Sequence, residues 1–333
     1  MAVLNRQAPF GLAQKGYELE FDPERSLFRL AFRAMGTRCG ALIAADDVGV
    51  AERFAAEAVA WVGRFEGKYS RFLDTSLLSA INRAAGRDWV EIDPETERLL
   101  AICADMHFST GGLLDPTSGP LVSLWNWKEP RSRLPSEAEI EAAQELVGWG
   151  KLERRPGAVF LPRRGMSLDF GGFGKEYAVD KVTELALACG VEACLVDFGQ
   201  DIRVAGLPPD APAWHVGLED PLRPGCVRAS LALQEERGVA TSGDTHRSFS
   251  LNGRRYGHIV DPRTGRPVVA SAHSVSVVAP SCLEAGALST AAFMAGVEEG
   301  MALVEAHYGA EACFILEGTI VQTSRFHEYM VNG

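Results

Sequence analysis

The sequence predicts an α+β protein with largely antiparallel sheet. Strand-like stretches such as "EACLVDF", "CVRASLAL" and "HSVSVVA" dominate the later half. Capped helical stretches punctuate the whole chain, and the two kinds of element do not alternate in the regular rhythm that a parallel sheet requires. The sequence contains no internal repeat, linker or low-complexity tract. Residues 1–25 read as an N-terminal extension and 26–333 as one domain.

Taken in order, "SLFRLAF" (Ser26 to Phe32) and "CGALIAA" (Cys39 to Ala45) read as strands joined by "RAMGTR". After Asp47, apolar Phe54, Ala58, Trp61 and Phe65 recur at helical spacing. Asp93-Pro94 supplies an N-cap and a proline at the first helical position, so a helix should run from there to about His107. Ser136 and Glu139 form a capping-box pattern before "IEAAQELVG". "MSLDFGGFGKEYAVDKVTELALACG" reads as a strand, a glycine turn and a helix closed by Gly190. Hairpins are expected about Asn252-Gly253 and Glu317-Gly318. Helices are expected near Leu283 to Ala295 and Glu298 to His307.

With 333 residues, 47% of them hydrophobic, the chain can bury an ample core. A net charge of −11 argues against nucleic acid or an anionic membrane as partner. The seven cysteines are scattered, with no Cys-x-x-Cys pair, and read as buried reduced thiols rather than a disulfide framework or a zinc site. No apolar run has the length of a signal peptide or a membrane span, so the chain as written is expected in the cytoplasm.

Four motifs carry candidate chemistry. "DFGGFGK" places glycines before a helix, where free N–H groups and Lys175 suit a phosphate, although a tight turn alone also explains it. "GHIVDPRTGRP" offers His258 as a general base, with Asp261 fixing the turn through an Asx bond; taken in isolation, the motif favours a structural histidine. In "TGGLLDPTSGPL" Asp115 either binds a ligand or holds an Asp-Pro-Thr turn. "ATSGDTHRSF" offers Thr241, Ser242, Asp244 and His246, a hydroxyl cluster that could equally cap turns.

In their order, "AMGT", "YSRFLDTSLLSAIN", "GGLLDPTSGPLVSLW", "LDFGGFGKEYAVD", "ATSGDTHRSF", "GHIVDPRTGRP" and "EAGALST" resemble the ApbE family of FAD:protein FMN transferases, over about Phe28 to Ala295. The resemblance implies that FAD is bound and that, with Mg²⁺, its FMN half is transferred to a Ser or Thr of a target flavoprotein, releasing AMP. It places cofactor contacts at Met35, Phe72, Leu113, Leu114, Asp115, Asp169, Lys175 and Val260. His258 would take the acceptor proton. It also implies a metal held by the Gly172 carbonyl and by an Asp with a Thr four residues later.

Here that last pair reads Gly286 and Thr290, so the metal site is expected to lack its carboxylate, and Gly286→Asp to restore it. Glu284 is a poor substitute, because residues two apart on a helix point to different sides. Phe72 stands for a Tyr, Gln200 for a Gly, and Glu176 for a Gly, the last placing negative charge near the expected phosphates. Two further activities follow if the metal site is impaired: an FAD-binding carrier or assembly protein without transfer, or an FAD pyrophosphatase with water as nucleophile.

Overall fold

A computed structural model describes residues 16–129, 132–244 and 247–331, together with the strand Leu4–Arg6. Its centre is a ten-stranded sheet whose strands lie side by side in the order they occur in the chain. From one edge to the other they are Leu4–Arg6, Tyr17–Asp22, Leu27–Ala34, Thr37–Ala44, Ala193–Phe198, Ile202–Ala205, Arg237–Gly243, Ser274–Ala279, Glu311–Leu316 and Thr319–Gln322. Every pairing is antiparallel. Tyr17–Asp22, within the expected N-terminal extension, is thus a strand of the same sheet, with Phe21 opposite Phe28.

Everything else is an excursion from this meander. The largest, 45–192, leaves after Thr37–Ala44 and returns at Ala193–Phe198. It contains the helix Val48–Tyr69, whose Asp47 cap accepts from Gly49 N at 2.6 Å and Val50 N at 3.1 Å. It also contains Pro94–Ser109 behind its Asp93 cap and Glu137–Gln144 with the expected capping box. The helix Gly174–Ala188 ends it. The strand Val227–Leu233 pairs with Trp214–Glu219 outside the main sheet.

The sheet has apolar packing on both faces. On one, Leu30, Phe32, Ile43 and Phe198 join Phe54, Ala58 and Val62 of the first helix and Val179 and Val182 of Gly174–Ala188. On the other, Leu27, Ile202 and Val204 meet Trp214, Val216 and Leu231 of the two-stranded flap. The helix Cys282–Ala295 is buried on nearly all sides, and this explains its run of small residues. Gly238 lets its first turn lie against the sheet, because a Cβ there would overlap the backbone of Ser281 and Cys282.

Six of the seven cysteines are buried and all are free, in line with the reading of reduced thiols. Among the described residues no helix is long and apolar enough to cross a membrane.

Candidate active site

The turns at Met35-Gly36 and Gly199–Asp201 lie at one end of the antiparallel meander, as does the excursion that leaves after Gly243. Across this end runs a cleft of about 1330 Å³. The motifs reach it because distant segments are tied together. Asn82 in the helix Leu77–Ala84 donates to Leu168 O at 3.0 Å and accepts from Leu168 N at 2.7 Å. Asp169 N donates to Pro116 O at 2.8 Å. These bonds join "SLLSAIN", "LDPTS" and "LDFGG" into one wall.

Every cofactor contact expected from sequence lines this cleft. Met35, Phe72, Leu113 and Leu114 supply apolar surface, and Val260 faces them from the later excursion. Met35 holds φ at +52°, a conformation costly for a non-glycine residue and frequent at ligand sites. Phe72 is 67% exposed, with Arg71 and Lys128 cations 4.8 and 4.9 Å from its ring centre. Asp115 and Asp169 also line the cleft, but their carboxylates are engaged. Asp115 accepts from Thr117 N and Oγ1 at 2.8 and 2.6 Å and from Trp149 N at 2.9 Å, so the Asp-Pro-Thr turn accounts for its side chain. Asp169 pairs with Arg71 at 2.9 Å and accepts from Gly171 N at 2.8 Å.

The glycine turn opens the helix Gly174–Ala188 toward the cleft, with no side-chain cap at Phe173. Its first-turn N–H groups and the helix dipole favour an anion there. Lys175 is not a free cation as expected: it forms an ion pair with buried Asp201. Arg247, which also lines the cleft, is a second cation that the sequence did not single out. Gln200 keeps the positive φ of the glycine it stands for, +75°, held by Asp197 Oδ1 on its N–H at 2.8 Å.

His258 is held by one carbonyl. Its N–H and its Nδ1 lie 3.0 and 3.1 Å from Arg247 O. A carbonyl can only accept, so Nδ1 carries the proton and Nε2 keeps its lone pair. Burial and the Arg247 charge push the imidazole pKa down to about 4, so the ring is neutral at physiological pH. Asp261 makes the expected Asx turn, accepting from Arg263 N at 2.8 Å, and also grips the Arg263 guanidinium.

The expected metal region lies where Cys282–Ala295 and Gly174–Ala188 pack together. Their register is set by Asp180, which accepts from Cys282 N and Leu283 N at 2.9 and 3.0 Å. One turn along each helix, this places Glu176 opposite Gly286. A Cβ at Gly286 would lie 2.5 Å from Glu176 Cγ and 3.2 Å from Oε1. Gly286 is therefore not a simple deletion of a side chain: Glu176 occupies the room. The expectation that Gly286→Asp restores the site fails on this contact, since the new Cβ would overlap the Glu176 Cγ. Glu176 is buried, lines the cleft, and its Oε2 has no hydrogen-bond partner among the described residues. Nearby, Ser242 Oγ lies 2.9 Å from both Ser289 Oγ and Thr290 Oγ1. Thr290 and Gly172 line the same cleft, whereas Glu284 does not.

The sequence matches the ApbE family over residues 35–314. The chain belongs to the ApbE family. An FAD:protein FMN transferase from Treponema pallidum is 34% identical over 266 residues, covering 75% of this chain and 74% of the relative. One from Vibrio cholerae is 30% identical over 241 residues, 72% of each chain. Among solved structures, the ApbE protein of Thermotoga maritima superposes with a TM-score of 0.83 at 31% identity, over 92% of this chain and all of that one. The ApbE fold, with helices packed on mostly antiparallel sheet, is thus the one the sequence predicted.

Proposed function

We propose that this ApbE-family flavin transferase binds FAD across the cleft and transfers its FMN half to a Ser or Thr hydroxyl of a target flavoprotein, releasing AMP. The observation that carries the reading is the convergence of residues from seven separate motifs on one cleft, with the neutral His258 among them. The size of the cleft suits a dinucleotide, being somewhat larger than a typical small-ligand pocket.

In this reading, Met35, Leu113, Leu114 and Val260 hold the flavin against apolar surface. The uncapped N-terminal turn of Gly174–Ala188 faces the pyrophosphate, with Arg247 and the Lys175–Asp201 pair beside it. His258 Nε2 accepts the proton of the acceptor hydroxyl as its oxygen bonds to the FMN phosphorus. The bond from that phosphorus to the AMP oxygen breaks, and AMP leaves with the electron pair.

Among the described residues no three His, Cys, Asp or Glu side chains gather into a metal cluster. The donors near the helix junction are hydroxyl, carbonyl and carboxylate oxygens, a set that suits a hard, partly hydrated Mg²⁺ completed by phosphate oxygens. Thr290 Oγ1 and Gly172 O would hold it. Once bound, it would offset charge growing on the leaving phosphate.

The test is to mix the protein with FAD, Mg²⁺ and a candidate acceptor, then measure AMP and covalent flavin fluorescence on a denaturing gel. His258→Gln should lower transfer on the order of 10² to 10⁴-fold with little change in FAD affinity. AMP and free FMN without covalent flavin would indicate hydrolysis instead, and FAD binding with no AMP would indicate a carrier.

A further inference from the structure

We propose that Glu176 is the metal-binding carboxylate of this chain, delivered from the helix Gly174–Ala188 into the room that Gly286 leaves open on the helix Cys282–Ala295.

Three observations converge on it. First, Glu176 is 9% exposed and its Oε2 lacks a hydrogen-bond partner among the described residues. A buried carboxylate oxygen without a partner is costly, and a cation removes that cost directly. Second, the side chain does not point into an apolar core. It lines the cleft together with Gly172, Ser242 and Thr290, whose oxygens are the other hard donors at this junction. Third, its path is fixed by packing. Asp180, one turn further along the same helix, anchors the start of Cys282–Ala295, and Glu176 Cγ then lies 2.5 Å from where a Cβ of residue 286 would stand. Only glycine at 286 admits this glutamate. Glu176 and Gly286 are two halves of one arrangement: the carboxylate is retained at the site but carried by the opposite helix.

Adjacent Lys175 lends Glu176 its charge at a distance but forms its ion pair with Asp201. Glu284 remains excluded, since its side chain lies outside the cleft lining and its N–H serves the Ser281 cap at 3.1 Å.

The inference rests on reading this cleft as a Mg²⁺-assisted FAD site, and its test is a binding measurement that does not depend on turnover. Mn²⁺ serves as a spectroscopic stand-in for Mg²⁺. Its binding to the full chain, with and without FAD, is followed by loss of the free-ion electron paramagnetic resonance signal. Glu176→Gln keeps the shape and removes the charge, and should weaken Mn²⁺ binding at least about tenfold. Glu176→Gly should do the same. The exchange Glu176→Gly with Gly286→Asp should recover most of the wild-type affinity, because it returns one carboxylate to the junction without crowding. Thermal melts with and without Mg²⁺ give a second readout: the Mg²⁺-induced rise in Tm should vanish in Glu176→Gln and return in the exchange variant.

Unchanged Mn²⁺ affinity in Glu176→Gln, or no binding to the wild type at millimolar Mn²⁺, overturns the inference. Should Mn²⁺ bind through Glu176 while no acceptor is ever flavinylated, the transferase reading fails and the metal assignment stands. FMN transfer accompanied by Glu176-independent Mn²⁺ binding gives the converse.

Discussion

Asp180 and Glu176 sit one turn apart on the same helix, 7% and 9% exposed, and the fold treats them differently. Asp180 receives two backbone N–H groups from the neighbouring helix and the Arg203 guanidinium at 3.0 Å. The Oε2 of Glu176 receives nothing from the described residues. Burial pushes both carboxyls above their usual range, offset at Asp180 first by Arg203 and at Glu176 first by Lys175. Burial alone therefore does not separate an architectural acid from a functional one. The distinction lies in where their lone pairs go: at Asp180 into helix packing, at Glu176 toward the cleft.

Removing each acid should break this comparison in opposite directions. Asp180→Ala leaves the Cys282 and Leu283 N–H groups without their acceptor and takes one partner from buried Arg203. It should cost about 3 kcal/mol, at the low end for a broken buried pair because Glu236 still pairs with Arg203, and urea unfolding would measure it. Metal should not rescue that loss.

Gly286→Asp alone is next in size. It forces a side chain into the Glu176 Cγ and sets two carboxylates against each other, so a loss of about 1 to 3 kcal/mol is expected. Adding Glu176→Gly should return most of it, a coupling visible in a double-mutant cycle. An unperturbed single variant would mean that the two helices do not pack as described.

Glu176→Gln without metal should do the reverse of Asp180→Ala and raise stability slightly, by up to about 1 kcal/mol, since a carboxylate without its counter-ion is relieved of charge. A fall in the metal-free Tm would place Glu176 with Asp180 as an architectural residue.

The smallest effect concerns His258, where a half-buried group meets the same cost by giving up its proton. Below pH 6.5 the unfolded chain protonates this histidine, while the folded chain resists down to about pH 4. Its contribution to stability is complete above pH 6.5 and is lost as pH falls through that window. His258→Gln should flatten the slope there in pH-dependent melts.

Local chemistry made much of the fold legible. Asp93 and Ser136 announced their helices because capping is written within four residues, and the helix after Asp47 showed itself through the spacing of its apolar residues. The helix Leu77–Ala84, capped by Ser76, was hidden inside a motif, and Tyr17–Asp22 became a strand only through its partner Leu27–Ala34. Within the site, residue types and order led to residues that share one cleft. What escaped was pairing across distance. Asp201 against Lys175 and Arg71 against Asp169 leave no local pattern. The same holds for Glu176 and Gly286: each departure taken alone suggested damage, and only their contact shows that they fit one another.

The chain-ordered sheet also bears on how the protein folds. Most neighbouring strands are joined within a few tens of residues, but Thr37–Ala44 and Ala193–Phe198 must meet across the whole of 45–192. If that segment stayed a coil, closing it would carry the largest entropic cost in the topology, though the cost grows only logarithmically with length. A segment whose helices have already formed and packed on one another brings its two ends together in advance. On that ground sheet closure is expected to wait on the helices, and the edge hairpin at Glu311–Gln322 to add afterwards. Weakening Val48–Tyr69 should slow refolding, whereas weakening Thr319–Gln322 should chiefly hasten unfolding.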